Sequence, residues 1–518
     1  MTKRPRDGKS AGNAADADDA QRRHARFLRQ PCPFAKAFPP LPMPPRPVTS
    51  RQAARRGMTM NHDDLREWSK RAADWAHGYH AGLRDRPVRA PLVPGKIAAL
   101  LPDQAPETPE DMDAIFRDFE GILPGITHWQ HPRFFAYFPA NASPASMLAE
   151  QLANAIAAQG MIWQTSPALT EVEQVMMVWL AKALGLPAEF TGTIHDSATT
   201  ATLSAVLTMR ERALDWQGLI DGLSAQPRLR LYASAETHSS VDKAARLAGI
   251  GQANLMKIPT DSTLSMKPGA LAGAITADRA AGFLPIGVIL CAGGTSVGAF
   301  DRMADCIAVA RAAGLPTHVD AAWAGSAMIC PEFRDLWAGV DEADSIVFNP
   351  HKWLGAQFDC AVQFLRDPTP QVKTLGLRPS YLETAGKEDI VNFNEWTVPL
   401  GRRFRALKLW FTLRAYGLEG LRTRIRNHVA WAAEACEAIR AIPGLVITTE
   451  PRLSLFTFAA DTDAATEALL ARINDDGRIY LTQTRHNGRL VIRMQVGQFD
   501  CMRDDVMLAP RVIAELMG

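Results

Sequence analysis

Apolar residues in the segment DDLREWSKRAADWAHGYHAGL recur three or four positions apart, at Leu65, Trp68, Ala72, Trp75 and Tyr79, which predicts a helix with one apolar face. Upstream, residues 1–57 mix Arg, Asp and Ala and then run into the proline cluster PPLPMPPRP, with no sustained periodicity. Disorder is expected there, and Met58 or Met60 is the expected start of the functional chain. From Thr191 the pattern alternates short apolar strands with amphipathic helices: GTIHDS then ATLSAVLTMRERAL, RLYASAE then SSVDKAARLAG, IGVILCA then a helix near MADCIAVARAAG, and finally THVDAA and SIVFNP. Strands separated by helical crossovers predict an α/β fold around a mostly parallel sheet covered on both faces. Beyond about residue 375 come a long loop, a helix over RRFRALKLWFTLRAYG and the apolar strands GLVITTE, LSLFTFAA and RLVIRMQVG, which together predict a smaller C-terminal α+β domain. The expected boundaries are 1–57, 58–137, 138–374 and 375–518.

Composition narrows the function classes. With 47% hydrophobic and 22% charged residues over 518 positions, the chain is neither wholly disordered nor membrane-embedded. A net charge of +2 gives no reason to expect nucleic acid or an anionic membrane as partner, so a small-molecule substrate is expected. The uncharged run from Ala281 to Phe300 is as long as a membrane span, but Pro285 and glycines 282, 287, 293, 294 and 298 mark a buried strand and a turn instead. After Arg22 and Arg23, FLRQPCPFAKAFPPLPMPP lacks the unbroken apolar core of a secretory signal. Cysteines 32, 291, 306, 330, 360, 436 and 501 show no CxxC pair and no His/Cys spacing, so reduced thiols in a cytoplasmic protein without a metal site are expected.

Open parallel sheets place ligands at the carboxyl ends of their strands, and the chemically capable residues fall there: Asp196 to Thr199, His238, Thr295, Asp320, and Asn349 to Lys352. Lys352 follows the apolar strand in SIVFNPHKWLG. It either reaches solvent from the strand end or, with its pKa lowered by burial, forms a Schiff base with an aldehyde cofactor. Asp320, in HVDAAWAG, either caps a turn or holds the ring nitrogen of pyridoxal 5′-phosphate (PLP) protonated, which makes the ring an electron sink. SATTATL is either an ordinary Ser/Thr cap or a phosphate cradle in which the N–H groups of Ala198 and Thr199 face the anion, joined by the Thr295 hydroxyl. His238 either caps a helix or lies flat on the cofactor ring near the substrate carboxylate. Four such signals at strand ends converge on one cofactor.

These residues sit within longer blocks, THWQHPRFFAYFPA, SPALTEVEQVMMVWL, ETHSSVDKA, HVDAAWAGSAMICPEFR, FNPHKWLGAQFDC and VPLGRRFRALKLWF, by which the chain from Met60 onward resembles the group II PLP-dependent decarboxylases. It is most similar to the aromatic-L-amino-acid decarboxylases. The resemblance implies PLP-dependent transferase fold type I, like aspartate aminotransferase, and a homodimer with active sites at the interface. The 58–137 segment would pack on the partner. By position, Lys352 is the Schiff-base lysine, Asp320 the partner of the pyridine nitrogen and His238 the residue stacked on the ring. Ala198, Thr199, Thr295 and Asn349 belong to the phosphate set, and His351 and Ala322 complete the cofactor's surroundings.

The resemblance also places Tyr381, in RPSYLETAGKED, on a mobile loop where its phenol helps return a proton to the substrate carbanion. Family members that make aldehydes often carry phenylalanine there, so Tyr381 favours simple decarboxylation to an amine. Trp129, Tyr137, Phe138 and Pro139 resemble the aromatic wall of the substrate pocket, and Gly401 leaves room for a ring as large as indole. Ala140, Gln159 and Met161 depart from the family pattern, and Gln159 either bonds a substrate phenol or indole N–H or is a satisfied buried amide. Tryptophan, phenylalanine, tyrosine and DOPA are therefore the expected substrates. The competing readings are a decarboxylase of acidic or diamino substrates, an aldehyde synthase, and a non-catalytic PLP-binding homologue. An NAD-type enzyme lacks support because no GxGxxG follows a predicted strand.

Overall fold

The computed structural model describes residues 60–91, 93–377 and 390–517, so the expected disorder of 1–57 and the position of Tyr381 fall outside it. Two units are distinguished, one of residues 1–67 and 106–111 and one of residues 68–105 and 112–518. In the first, the Asn61 side chain caps the start of helix His62–Ala81 by accepting from the N–H groups of Asp63 and Asp64 at 2.8 and 3.1 Å. The second unit holds both sheets.

The larger sheet contains β1 (Thr191–His195), β2 (Leu229–Ser234), β3 (Leu255–Ile258), β4 (Leu284–Cys291), β5 (Thr317–Asp320), β6 (Ser345–Phe348) and β7 (Ala361–Leu365). Their spatial order is β1-β7-β6-β5-β4-β2-β3. β7 runs antiparallel to both neighbours, while the β6-β5-β4-β2-β3 pairings are parallel. This is the mostly parallel α/β sheet expected, and its strands read as apolar runs because helices bury them on both faces. The uncharged 281–300 run is β4 and the turn after it, and no helix among the described residues is long and apolar enough to cross a membrane.

Two strands escaped the pattern. β3 is only LMKI, with Lys257 inside it. β7 (AVQFL) carries the buried Gln363, which bonds His195 on β1 and Gln371 on helix Thr369–Leu375.

A second sheet of β8 (Leu445–Arg452), β9 (Leu455–Ala460), β10 (Thr482–His486) and β11 (Arg489–Gln495) is antiparallel, in the order β10-β11-β9-β8. It shares an apolar cluster with helices Arg405–Arg440, Asp463–Asp476 and Arg503–Met517, through residues such as Cys436, Phe456, Leu469 and Val512. The edge strand β10, TQTRH, alternates half-buried and exposed positions without an apolar face, so periodicity did not predict it. Gly417, at φ 63° and ψ 165°, breaks Arg405–Arg440 into two helices, and the first ends where the sequence pattern for 402–417 ends.

Candidate active site

The carboxyl ends of β1, β2, β4, β5 and β6 open onto one cavity of about 160 Å³. Asp320 stands at the end of β5, held in register by Cys291 on β4 and Val347 on β6. Its Oδ1 accepts from the Ala322 N–H at 3.1 Å, and the carboxylate is 7% exposed. Beyond β6 the chain turns back: Asn349 N–H donates to the Ala322 carbonyl at 2.8 Å and Lys352 N–H to the Asn349 carbonyl at 2.9 Å. That turn directs Lys352 onto the same cavity wall as Asp320.

The Lys352 amine keeps some accessible surface toward the cavity and is otherwise enclosed by protein. Burial lowers its pKa from 10.5 to about 8, the Asp320 carboxylate opposes that fall, and the Arg493 guanidinium adds to it. Its Nζ lies 5.0 Å from the centroid of the Phe138 ring.

His238 caps helix Ser239–Leu247, where its Nδ1 accepts from the Ser240 N–H at 3.1 Å. A main-chain amide can only donate, so in the neutral ring the proton sits on Nε2. Burial lowers the His238 pKa, with Asp320 raising it and Lys352 lowering it further. His351 accepts from the Cys360 N–H at 2.8 Å, and burial, aided by the Lys352 charge, takes its pKa to about 3.

Ser197 caps helix Ala198–Ala213 by accepting from the Thr200 N–H at 3.3 Å. Ala198 and Thr199 open that helix, where main-chain N–H groups have no acceptor within it, and both line the cavity. Thr295 reaches the cavity from the turn after β4, which closes by N–H donation from Gly293 and Gly294 to the Ala299 carbonyl at 2.8 and 2.9 Å. Asn349 lines it too, and its buried Oδ1 has no partner among the described residues. A half-buried amine, a carboxylate, an imidazole and a helix start with free main-chain N–H groups suit an aldehyde-bearing pyridine with an anionic tail, so the residues present fit PLP.

The structure thus gathers Phe138, Ala198, Thr199, His238 and Thr295 with Asp320, Ala322, Asn349, His351 and Lys352. Of the expected substrate wall, only Phe138 lines this cavity within one chain, and the rest stands apart from it. Trp129 and Tyr137 are 41% and 45% exposed, and Pro139 and Ala140 continue the same segment off the cavity. The Gln159 Oε1 accepts from the Arg402 N–H at 2.7 Å, so the amide is satisfied, but Gln159 is exposed rather than buried as that alternative expected. A Cβ on Gly401 would lie 3.1 Å from the Gln159 amide, and the Met161 carbonyl accepts from the Asn394 N–H at 3.0 Å.

Sequence reasoning missed Arg493. It lies on β11, is 2% exposed, donates to the Tyr137 carbonyl at 3.1 Å and places its guanidinium 5.1 Å from the Phe138 centroid. Its Nε and Nη2 have no partner among the described residues. An arginine inside the otherwise apolar RLVIRMQVG was the available signal. Trp323 was missed as well; it lines the cavity and stacks on Phe138 at 4.5 Å and on Trp353 at 5.1 Å.

The chain is similar to known proteins along most of its length. Residues 94–461 match the model of the pyridoxal-dependent decarboxylase conserved domain. The aromatic-L-amino-acid decarboxylase of Rattus norvegicus is 39% identical over 453 residues, covering 84% of this chain and 94% of the relative. The phenylacetaldehyde synthase of Arabidopsis thaliana is 36% identical over 457 residues, covering 85% and 92%. A crystal structure of Oryza sativa TDC with PLP and tryptamine superposes with a TM-score of 0.86 at 33% identity, covering 89% of this chain and 98% of that one. With a cavity built for PLP and likeness along most of its length, the chain belongs to the family of pyridoxal-dependent decarboxylases.

Proposed function

We propose that this decarboxylase converts an aromatic L-amino acid, among tryptophan, phenylalanine, tyrosine and DOPA, into the corresponding amine and CO2. The observation that carries the reading is the meeting of Lys352, Asp320 and His238 on one cavity. When bound, PLP supplies the electron sink that accepts the pair left as the Cα–carboxylate bond breaks. Lys352 would hold the cofactor by its amine. Asp320 keeps the ring nitrogen protonated, and Ala198, Thr199, Thr295 and Asn349 hold the phosphate. Ala322 and His351 flank the ring.

His238 would lie against the cofactor ring, with the proton on its Nε2 free to meet the substrate carboxylate. The unpaired donors of Arg493, beside Phe138, supply the positive charge that orients the same group. The Tyr381 phenol would return a proton to Cα. The relatives' names support an aromatic side chain, as do the exposed Trp129 and Tyr137 rings, stacked 6.0 Å apart. Pro139, Ala140, Gln159, Met161 and Gly401 shape the same wall. The phenylacetaldehyde synthase relative supports a second reading, aldehyde formation, against which Tyr381 argues.

We assign the functional unit as a homodimer, because helix Pro144–Ile156 leaves Leu148, Leu152 and Ile156 exposed in line along one face. A reducing, cytoplasmic setting accords with six described cysteines that are all free and buried.

The test supplies the four amino acids separately to purified protein with PLP and measures CO2, amine and aldehyde. Amine with equimolar CO2 from at least one of them is expected. Lys352→Ala is expected to lose both turnover and the visible band of lysine-bound PLP. Tyr381→Phe is expected to raise aldehyde and ammonia at the expense of amine, and an unaltered product ratio removes Tyr381 from proton return.

A further inference from the structure

Arg402 and Glu173 form an ion pair sealed inside the protein, with 4% and 0% of their surfaces exposed. The Glu173 Oε1 accepts from Arg402 Nη2 at 2.5 Å, from Thr193 Oγ1 at 3.0 Å and from the Ile194 N–H at 2.8 Å. Arg402 Nη2 donates also to the Ile194 carbonyl at 2.9 Å. Both partners are thereby fastened to β1, the strand that runs directly into Asp196, Ser197 and the helix start at Ala198.

The main chain of Arg402 faces another way. Its N–H donates to Gln159 Oε1 at 2.7 Å, and its carbonyl accepts from the Gly160 N–H at 3.0 Å. Phe393 lies 4.8 Å beneath the guanidinium, and the next residue, Asn394, bonds the Met161 carbonyl. One residue therefore joins the strand behind the phosphate cradle to the segment 159–161 and to Gly401.

Burying two charges is a poor route to stability, because their attraction scarcely repays the lost hydration. What such a pair does supply is a fixed position, since a planar guanidinium meets acceptors in set directions and a lysine ammonium does not. We propose that Arg402 is a positioning residue that holds the wall of Gln159, Met161 and Gly401 in register with the cofactor cradle. This rests on the reading above that those residues face the substrate side chain.

The test compares steady-state kinetics of wild type, Arg402→Lys and Gln159→Leu across the four aromatic amino acids. Arg402→Lys keeps the buried charge but loses the planar Nη2 group through which Arg402 reaches Glu173, Thr193 and Ile194. It is expected to raise KM about tenfold and to reorder the four substrates, while kcat stays within roughly threefold and the visible band of bound PLP persists. Gln159→Leu, at an exposed position, leaves the ion pair intact, cuts only the bond to the Arg402 N–H and is expected to raise KM by a smaller factor in the same substrate order. A fall in kcat at unchanged KM and substrate order overturns the assignment, and so does an unaltered KM in Gln159→Leu should the arginine variant fail to fold. If wild type releases CO2 from none of the four, the aromatic reading fails on its own, and the KM comparison is made with whichever amino acid is decarboxylated.

Discussion

Lys352, the lysine proposed to carry the chemistry, stood out because an ammonium directly after a buried strand is out of place, although only its company with Asp320 weighed against a solvent-reaching side chain, and its setting determines when it reacts. Only the neutral amine attacks an aldehyde, and burial takes the Lys352 pKa to about 8. Capture of PLP by the cofactor-free protein is therefore expected to accelerate with pH up to a midpoint near 8, followed by visible absorbance after mixing. An amine of ordinary pKa would give a profile still climbing past pH 10, and that result would remove the account of burial given above. Arg493 contributes to the shift, so Arg493→Met should move the midpoint upward and also weaken substrate binding. A midpoint that stays in place means Lys352 does not feel the guanidinium. Arg493 was passed over although it stands out in a mostly apolar strand, because an arginine on a strand reads as a solvent-facing position until both faces of β11 are seen to be covered.

Between residue and molecule, the strand ends do the positioning, and this scale was the most readable of the three. Alternating apolar strands and amphipathic helices marked β1, β2, β4, β5 and β6, and their carboxyl ends are the ones that meet at the cavity. β7 stayed hidden because it returns antiparallel without a helical crossover and buries a glutamine inside a network of His195 and Gln371. The wall of residues 129–161 and 401 was placed only by resemblance, since no local pattern says which distant loop a loop will face. The turn after β4 permits a test. Gly293 has φ 82°, and a Cβ there would meet the Ala324 Cβ at 2.5 Å. Left-handed backbone costs an L side chain roughly 1–2 kcal/mol. If the turn yields rather than the sheet, Gly293→Ala displaces Thr295 and loosens PLP about tenfold with little change in melting temperature. Equilibrium dialysis reports the affinity, and unchanged binding would show that Thr295 does not hold the phosphate.

At the scale of the whole molecule, the single chain leaves apolar surface where a soluble monomer keeps little. Leu148, Leu152 and Ile156 are 52%, 44% and 60% exposed, and their four-residue spacing sets them on one stripe of helix Pro144–Ile156. None of the residues of helix His62–Ala81 is buried, although its aromatic side chains repeat at helical spacing. Trp129 and Tyr137, assigned to the substrate, are exposed as well. A second copy covering these surfaces would account for all three facts, and a net charge of +2 sets little repulsion against it. Leu152→Glu places a carboxylate in the middle of the stripe without disturbing the opposite side of the helix, which packs on Arg405–Arg440. The expected outcome is a shift from dimer to monomer in sedimentation velocity at micromolar concentration. Activity should fall with the dimer fraction, and raising the protein concentration should restore both together, because an aromatic wall open to water holds an aromatic ring poorly. A fully active monomer would separate assembly from catalysis and leave Trp129 and Tyr137 without the covering surface that their assignment requires.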